Sequence, residues 1–223
     1  MLKKDTFSFL SRLAKNNNTD WMNAHRDEYN ECLENFTELV SLLVEEIGKF
    51  DQDILSSNLT VKSCIPRMNR DLRFAKDKSP YKTYLYAVIS KDGRKSGNAV
   101  YYLIIEPGKC SIGAGSFQPD NKNLRKLHQE IDFNLKDWNR LVSDKKLLAK
   151  FPNGIVSNKY LKRIPRNIDE HNPALEFLKM KDFYVSRNLE NIFFTKEDNL
   201  KEIIACYQSA KDLNQFINTA LKD

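Results

Sequence analysis

The chain has no paired cysteines, no long apolar run, no glycine-rich phosphate loop and no companion spacing for its histidines. Cys32, Cys64, Cys110 and Cys206 lie far apart without a C-x-x-C pair. At 223 residues the chain can build a core without covalent staples, so the four read as reduced, mostly buried thiols. The most apolar run, Leu39 to Ile47, is interrupted by Glu45 and Glu46 and is too short to cross a bilayer, so no membrane partner is expected. Met1 to Asp5 lacks the apolar core and cleavage site of a signal peptide, and the expected location is cytoplasmic. Neither GxxxxGK[ST] nor GxSxG occurs. Gly113-Ala114-Gly115 lacks the third glycine of a dinucleotide fingerprint and reads as a turn. His25, His128 and His171 have no HExxH-type spacing, so neither a metal nor a cofactor is expected. Internal repeats, low-complexity tracts and Pro/Ser-rich linkers are missing too, which predicts a single domain over 1–223.

What the chain does have is one concentrated positive segment, Arg67 to Lys82. Its six basic and two acidic side chains give +4 of the chain's net +6, leaving 30 basic against 28 acidic residues elsewhere. Extended backbone would place Arg67, Asn69, Asp71 and Arg73 on one face and Met68, Arg70, Leu72 and Phe74 on the other. Arg70 would then sit among apolar neighbours, where a guanidinium needs a carboxylate or phosphate partner. The later part, Lys76 to Lys82, reads as a loop stiffened by Pro80, with Tyr81 offering a ring and a hydroxyl.

Around this segment the periodicity predicts an α+β fold, a central antiparallel sheet flanked by N-terminal and C-terminal helices. Phe7, Leu10 and Leu13 mark a first helix capped at Asp5 or Thr6, ended by the Asn16 to Asn18 run. A second helical region runs from Thr19 or Asp20 to Gly48, and residues 51–62 read as loop. Tyr84 to Ser90 and Ala99 to Glu106 are strands joined through Asp92-Gly93, with Lys109 to Ala114 a possible third. Helices follow around Leu124 to Ile131 and Leu135 to Leu148, then a basic loop over 160–172 and a short helix at Pro173 to Met180. Phe183 to Val185 and Ile192 to Phe194 read as short strands, and Glu197 to Leu221 as one long helix.

Three functions compete for the basic segment. In the leading one, a small phosphorylated or carboxylated anion is gripped by Arg67, Arg70 and Arg73, oriented through Asp71 and Asp77, and closed over by Lys78, Tyr81 and Lys82. If chemistry occurs there, Asp71 or Asp77 is the candidate general base and Tyr81 the proton donor. In the second, the segment and Arg163 and Arg166 bind nucleic acid, with Tyr81, Tyr84 and Tyr86 available for stacking. In the third, the protein is a non-catalytic interaction protein and the charges form an internal salt-bridge network.

The run Arg67-Met-Asn-Arg-Asp-Leu-Arg-Phe-Ala-Lys-Asp-Lys-Ser-Pro-Tyr-Lys82 resembles the signature of the domain of unknown function 2461 family, approximately RxxRDxRFSxDKxPYK. Phe9-Leu10, Leu13, the asparagine run, Trp21 and Tyr29 resemble its N-terminal block. Tyr101-Tyr102 through Gly115 and Pro119 resemble its strand block, and Leu161 to Pro165 with Pro173 and Leu178-Lys179 its C-terminal block. Ala75 stands where the family usually has serine, and His171-Asn172-Pro173 where it often has Asp-His-Pro. The resemblance implies a single α+β domain and no established activity.

Overall fold

The structure, a computed structural model, describes residues 1–163 and 168–222. Helix α1 (Lys4–Lys15) buries Phe7, Leu10 and Leu13 on one stripe. It begins just ahead of the expected caps: Lys3 holds the cap position without a side-chain bond, and Asp5 lies in the first turn, where its charge suits the helix dipole. The asparagine run does more than stop it. Asn18 caps α2 (Thr19–Ala24), accepting from the Trp21 N–H at 2.9 Å. The expected single helix to Gly48 is broken at His25, after which α3 (Arg26–Gly48) carries the buried Phe36, Leu39, Val40, Leu43 and Ile47. Within the stretch read as loop lie α4 (Gln52–Leu55) and α5 (Val61–Cys64), capped by Asp51 and Thr60. Single turns are too short to show a period.

Strands β1 (Leu85–Ser90), β2 (Val100–Ile105) and β3 (Cys110–Ser116) follow as an antiparallel meander. Asp92 and Gly93, at φ 61° and 86°, supply the left-handed backbone of the first connection. A long excursion carries α6 (Asn121–Phe133), α7 (Leu135–Val142), α8 (Lys145–Lys150) and α9 (Leu175–Leu178). The chain then returns as β4 (Phe183–Leu189), antiparallel to β3, giving the order β1-β2-β3-β4. The strand expected at Ile192 to Phe194 is a 3₁₀ turn, Asn191–Thr195, with Phe194 in the core. The long closing helix is two, α10 (Asn199–Ser209) and α11 (Lys211–Leu221), separated at the buried Ala210. A one-residue break leaves the apolar period running across it.

Strand alternation gives the sheet two unlike faces. Ala87, Ile89, Leu103, Ile105, Ile112, Ala114 and Val185 point inward beneath α3, α10 and α11 and form the core. Tyr86, Val88, Val100, Tyr102, Ile104 and Ser186 point the other way and remain half-exposed. The four cysteines are free and buried. Among the described residues no helix is long and apolar enough to cross a membrane.

Candidate functional site

The basic segment is a hairpin that leads into β1. Arg70 N–H donates to the Pro80 carbonyl and Lys82 N–H to the Met68 carbonyl, each at 2.9 Å, around an Asn69–Tyr81 bridge. The expected alternation holds at its start. Met68 is buried, Arg70 and Leu72 are half-buried, and Arg67, Asn69, Asp71 and Arg73 are exposed. It fails at Phe74, which is 97 % exposed because the chain has turned.

The tip satisfies itself. Asp71 accepts the Arg73 N–H at 3.2 Å and its guanidinium at 2.6 Å. Asp77 accepts the Ser79 N–H at 2.9 Å, the Ser79 hydroxyl at 2.6 Å and the Arg70 guanidinium at 2.5 Å. Lys78 donates to the Leu72 carbonyl at 3.0 Å. The Ser79 hydroxyl and N–H, with Arg70, hold the Asp77 carboxyl far below the usual carboxylate range; Arg73 does the same, more mildly, for Asp71. Carboxylates so stabilised are weak bases near neutrality, so both suit orientation better than general-base work.

The base of the hairpin is different. Lys82 donates to the carbonyls of Arg67 and Asn69 at 2.6 and 2.9 Å. Burial, and then the positive charges of Arg67, Arg70 and Arg94, push its ammonium below the ordinary lysine value. Among the described residues no carboxylate pairs with Arg67, Lys82 or Arg94. Arg94 comes from the β1–β2 connection, tied to the Ser63 carbonyl at 2.7 Å. No sequence signal linked it to the motif; only the fold brings it back.

Tyr81 takes a supporting place. It is 6 % exposed, so its ring faces the core and is not free to cover a ligand. Asn17 clamps its backbone on both sides, accepting from the N–H at 3.1 Å and donating to the carbonyl at 2.9 Å. Arg163 is exposed in a loop away from the hairpin sequence, His171 is exposed with its N–H on Asp169, and Arg166 lies outside the described residues.

Arg94 also lines a cavity of about 620 Å³ over the outer face of the sheet. Its walls include Tyr84, Tyr86, Tyr102, Phe117 and Tyr184. The Tyr84 and Tyr86 rings lie 5.7 Å apart, and Phe117 and Tyr184 4.8 Å apart at 58°. Tyr102 lies over Gly113 of the neighbouring strand, where a Cβ would come within 2.5 Å of its hydroxyl. Burial raises the Tyr102 hydroxyl to about 12, against a hydrogen bond with Ser186 that lowers it. Next to Phe117, Gln118 is held at φ 48° by donating its N–H to Asp182 at 2.8 Å. Strand alternation with the β1–β2 hairpin puts Tyr86 and Tyr102 on one face, as diagonal neighbours, the signal that could have flagged this cavity in the sequence.

Residues 5–216 match the family described as conserved hypothetical protein (DUF2461). No curated protein and no solved structure matches the chain.

Proposed function

The chain belongs to this family of conserved hypothetical proteins, and we propose that it binds a small anionic ligand, phosphorylated or carboxylated, at the base of the hairpin. The observation that carries the reading is that Arg67, Lys82 and Arg94 have no carboxylate partner among the described residues, while Lys82, held below its ordinary value first by burial, also feels the positive charges of Arg67, Arg70 and Arg94. Arg70 has Asp77 as its partner and Arg67 acts on Asp71, but the positive charges still outnumber the negative ones there, and an anion between them relieves that repulsion while accepting charge-assisted hydrogen bonds. Arg67 and Arg94 grip the ligand, and Lys82 and Arg70 complete the positive field. Asp71, Arg73, Asp77 and Lys78 hold the tip in shape, and Tyr81 roots the hairpin in the core.

Titration against phosphate, sugar phosphates, nucleotides and carboxylates tests this. A ligand at a hundred times its Kd should add about 2.7 kcal/mol and raise Tm by roughly 5–10 °C, and the shift should persist at raised salt. Arg67→Ala and Arg94→Ala should each weaken binding about tenfold or more, as charged hydrogen bonds of 1.5–3 kcal/mol are lost. Arg73→Ala, whose partner is Asp71, should stay within about twofold of the wild type. Binding that survives the Arg67/Arg94 double substitution would sink the assignment.

Lys82 supplies a second expectation. An anion beside it raises its proton affinity, so binding at alkaline pH below the ordinary lysine value should take up a proton. Affinity should therefore decline as pH rises through that range. Calorimetry in two buffers of different ionisation enthalpy measures the uptake; zero uptake would place the anion away from Lys82.

Phe74 favours a second reading. Its exposed ring, flanked by Arg73 and Lys76 on the tip, fits stacking on an unpaired base. That reading expects affinity for single strands to fall steeply with salt and to be lost in Phe74→Ala.

A further inference from the structure

Resting on the anion site above, we infer that its ligand is a nucleoside phosphate, with the phosphate on the Arg67, Lys82 and Arg94 cluster and the base against the tyrosine-lined outer face of the sheet. Arg94 joins the two halves: it lines the cavity and acts electrostatically on both Tyr86 and Lys82. A phosphate held by Arg94 lies next to the aromatic cavity that Arg94 lines, so the rest of the ligand extends across the sheet face.

That face suits a planar ring. The Tyr84–Tyr86 pair stands at β1 and the Phe117–Tyr184 pair at β4, separated by three strand spacings, about 14 Å, with Tyr102 between them. A cavity of about 620 Å³ lies within the range of small-molecule sites. A bare carboxylate or phosphate would leave the half-exposed Tyr84, Tyr86 and Tyr102 rings and the exposed Phe117 facing water, whereas a nucleobase covers them by stacking. The cavity also holds polar groups able to read a base edge. The side-chain amides of Gln118 and Asn123 line it and make no hydrogen bond among the described residues. An amide offers a donor and an acceptor side by side, the pattern that base edges complement.

The test compares inorganic phosphate, ribose 5-phosphate and the four ribonucleoside monophosphates on the full chain by calorimetry. At least one nucleotide should bind ten or more times tighter than ribose 5-phosphate. Tyr86→Ala should erase that advantage while leaving ribose 5-phosphate affinity unchanged, and Tyr86→Phe should keep it, since stacking needs the ring and not the hydroxyl. Equal affinity for ribose 5-phosphate and every nucleotide would overturn the base site and leave the anion site standing. Failure of the whole panel, phosphate included, would bring down the anion site itself. A strand of about ten nucleotides binding tenfold or more tighter than its monomer would also overturn a mononucleotide site.

Discussion

Asp182→Ala should cost about 3–5 kcal/mol and lower Tm by roughly 10 °C, although the residue touches no proposed ligand. Asp182 is fully buried, and its two oxygens accept the Gln118 N–H at 2.8 Å and the Asn158 N–H at 3.0 Å. Its own N–H donates to the Ser157 hydroxyl at 3.0 Å. Alanine leaves the Gln118 and Asn158 amides without the acceptor that the fully buried carboxylate supplies. Gln118 would also lose what holds it in a left-handed conformation, so the Phe117 wall of the cavity should loosen together with the fold. Asp182→Asn keeps one accepting oxygen and should recover part of the stability. Chemical denaturation of the three proteins measures this, and a loss under about 1 kcal/mol for alanine would refute the carboxylate's role.

Gly113→Ala should cost about 3 kcal/mol or more, at or above the upper end of what overpacked core substitutions usually cost. The added methyl would press on the Val185 carbonyl of the adjoining strand and stand 2.5 Å from the Tyr102 ring. The ring could swing aside, but the carbonyl belongs to the β3–β4 ladder and cannot move without opening it. Removing the ring as well, in Gly113→Ala with Tyr102→Ala, should therefore restore little. Full recovery in the double variant would mean that the ring alone was the obstacle. Urea denaturation of the pair separates the two.

The α+β architecture was legible because its signals are local and long. The stripe of α3, the strand runs and the Asp92-Gly93 turn each announce themselves within a few residues. The pairing need of Arg70 was legible too, since a guanidinium beside Met68 and Leu72 must find an acceptor, and it finds Asp77 and the Ser79 carbonyl. The rest of the site depends on distance in the chain. Arg94 comes within electrostatic reach of Lys82 only once β1 has been laid down between them. Asn17 looks like a helix terminator until it is found gripping Tyr81, 64 residues on. Tyr81 carries the look of a surface aromatic in a charged loop, yet a clamped backbone and a buried ring make it a root. Breaks such as His25 and Ala210 leave the apolar period intact, so periodicity could not show them.

Strand β3 reads Cys-Ser-Ile-Gly-Ala-Gly-Ser, and on its outer face it offers glycine beneath Tyr102 and Tyr184, whose side chains line the cavity. Peptide packed beneath those rings has no side chain to exchange, and adding one jams the neighbouring strand. Change in what such a cavity accepts has to be written elsewhere: in the tyrosines of β1 and β2, in the residues after Ser116, and in the turn that carries Arg94. The outer face thus joins a fixed base, which cannot take a side chain without opening the ladder, to a rim whose side chains are free to be exchanged.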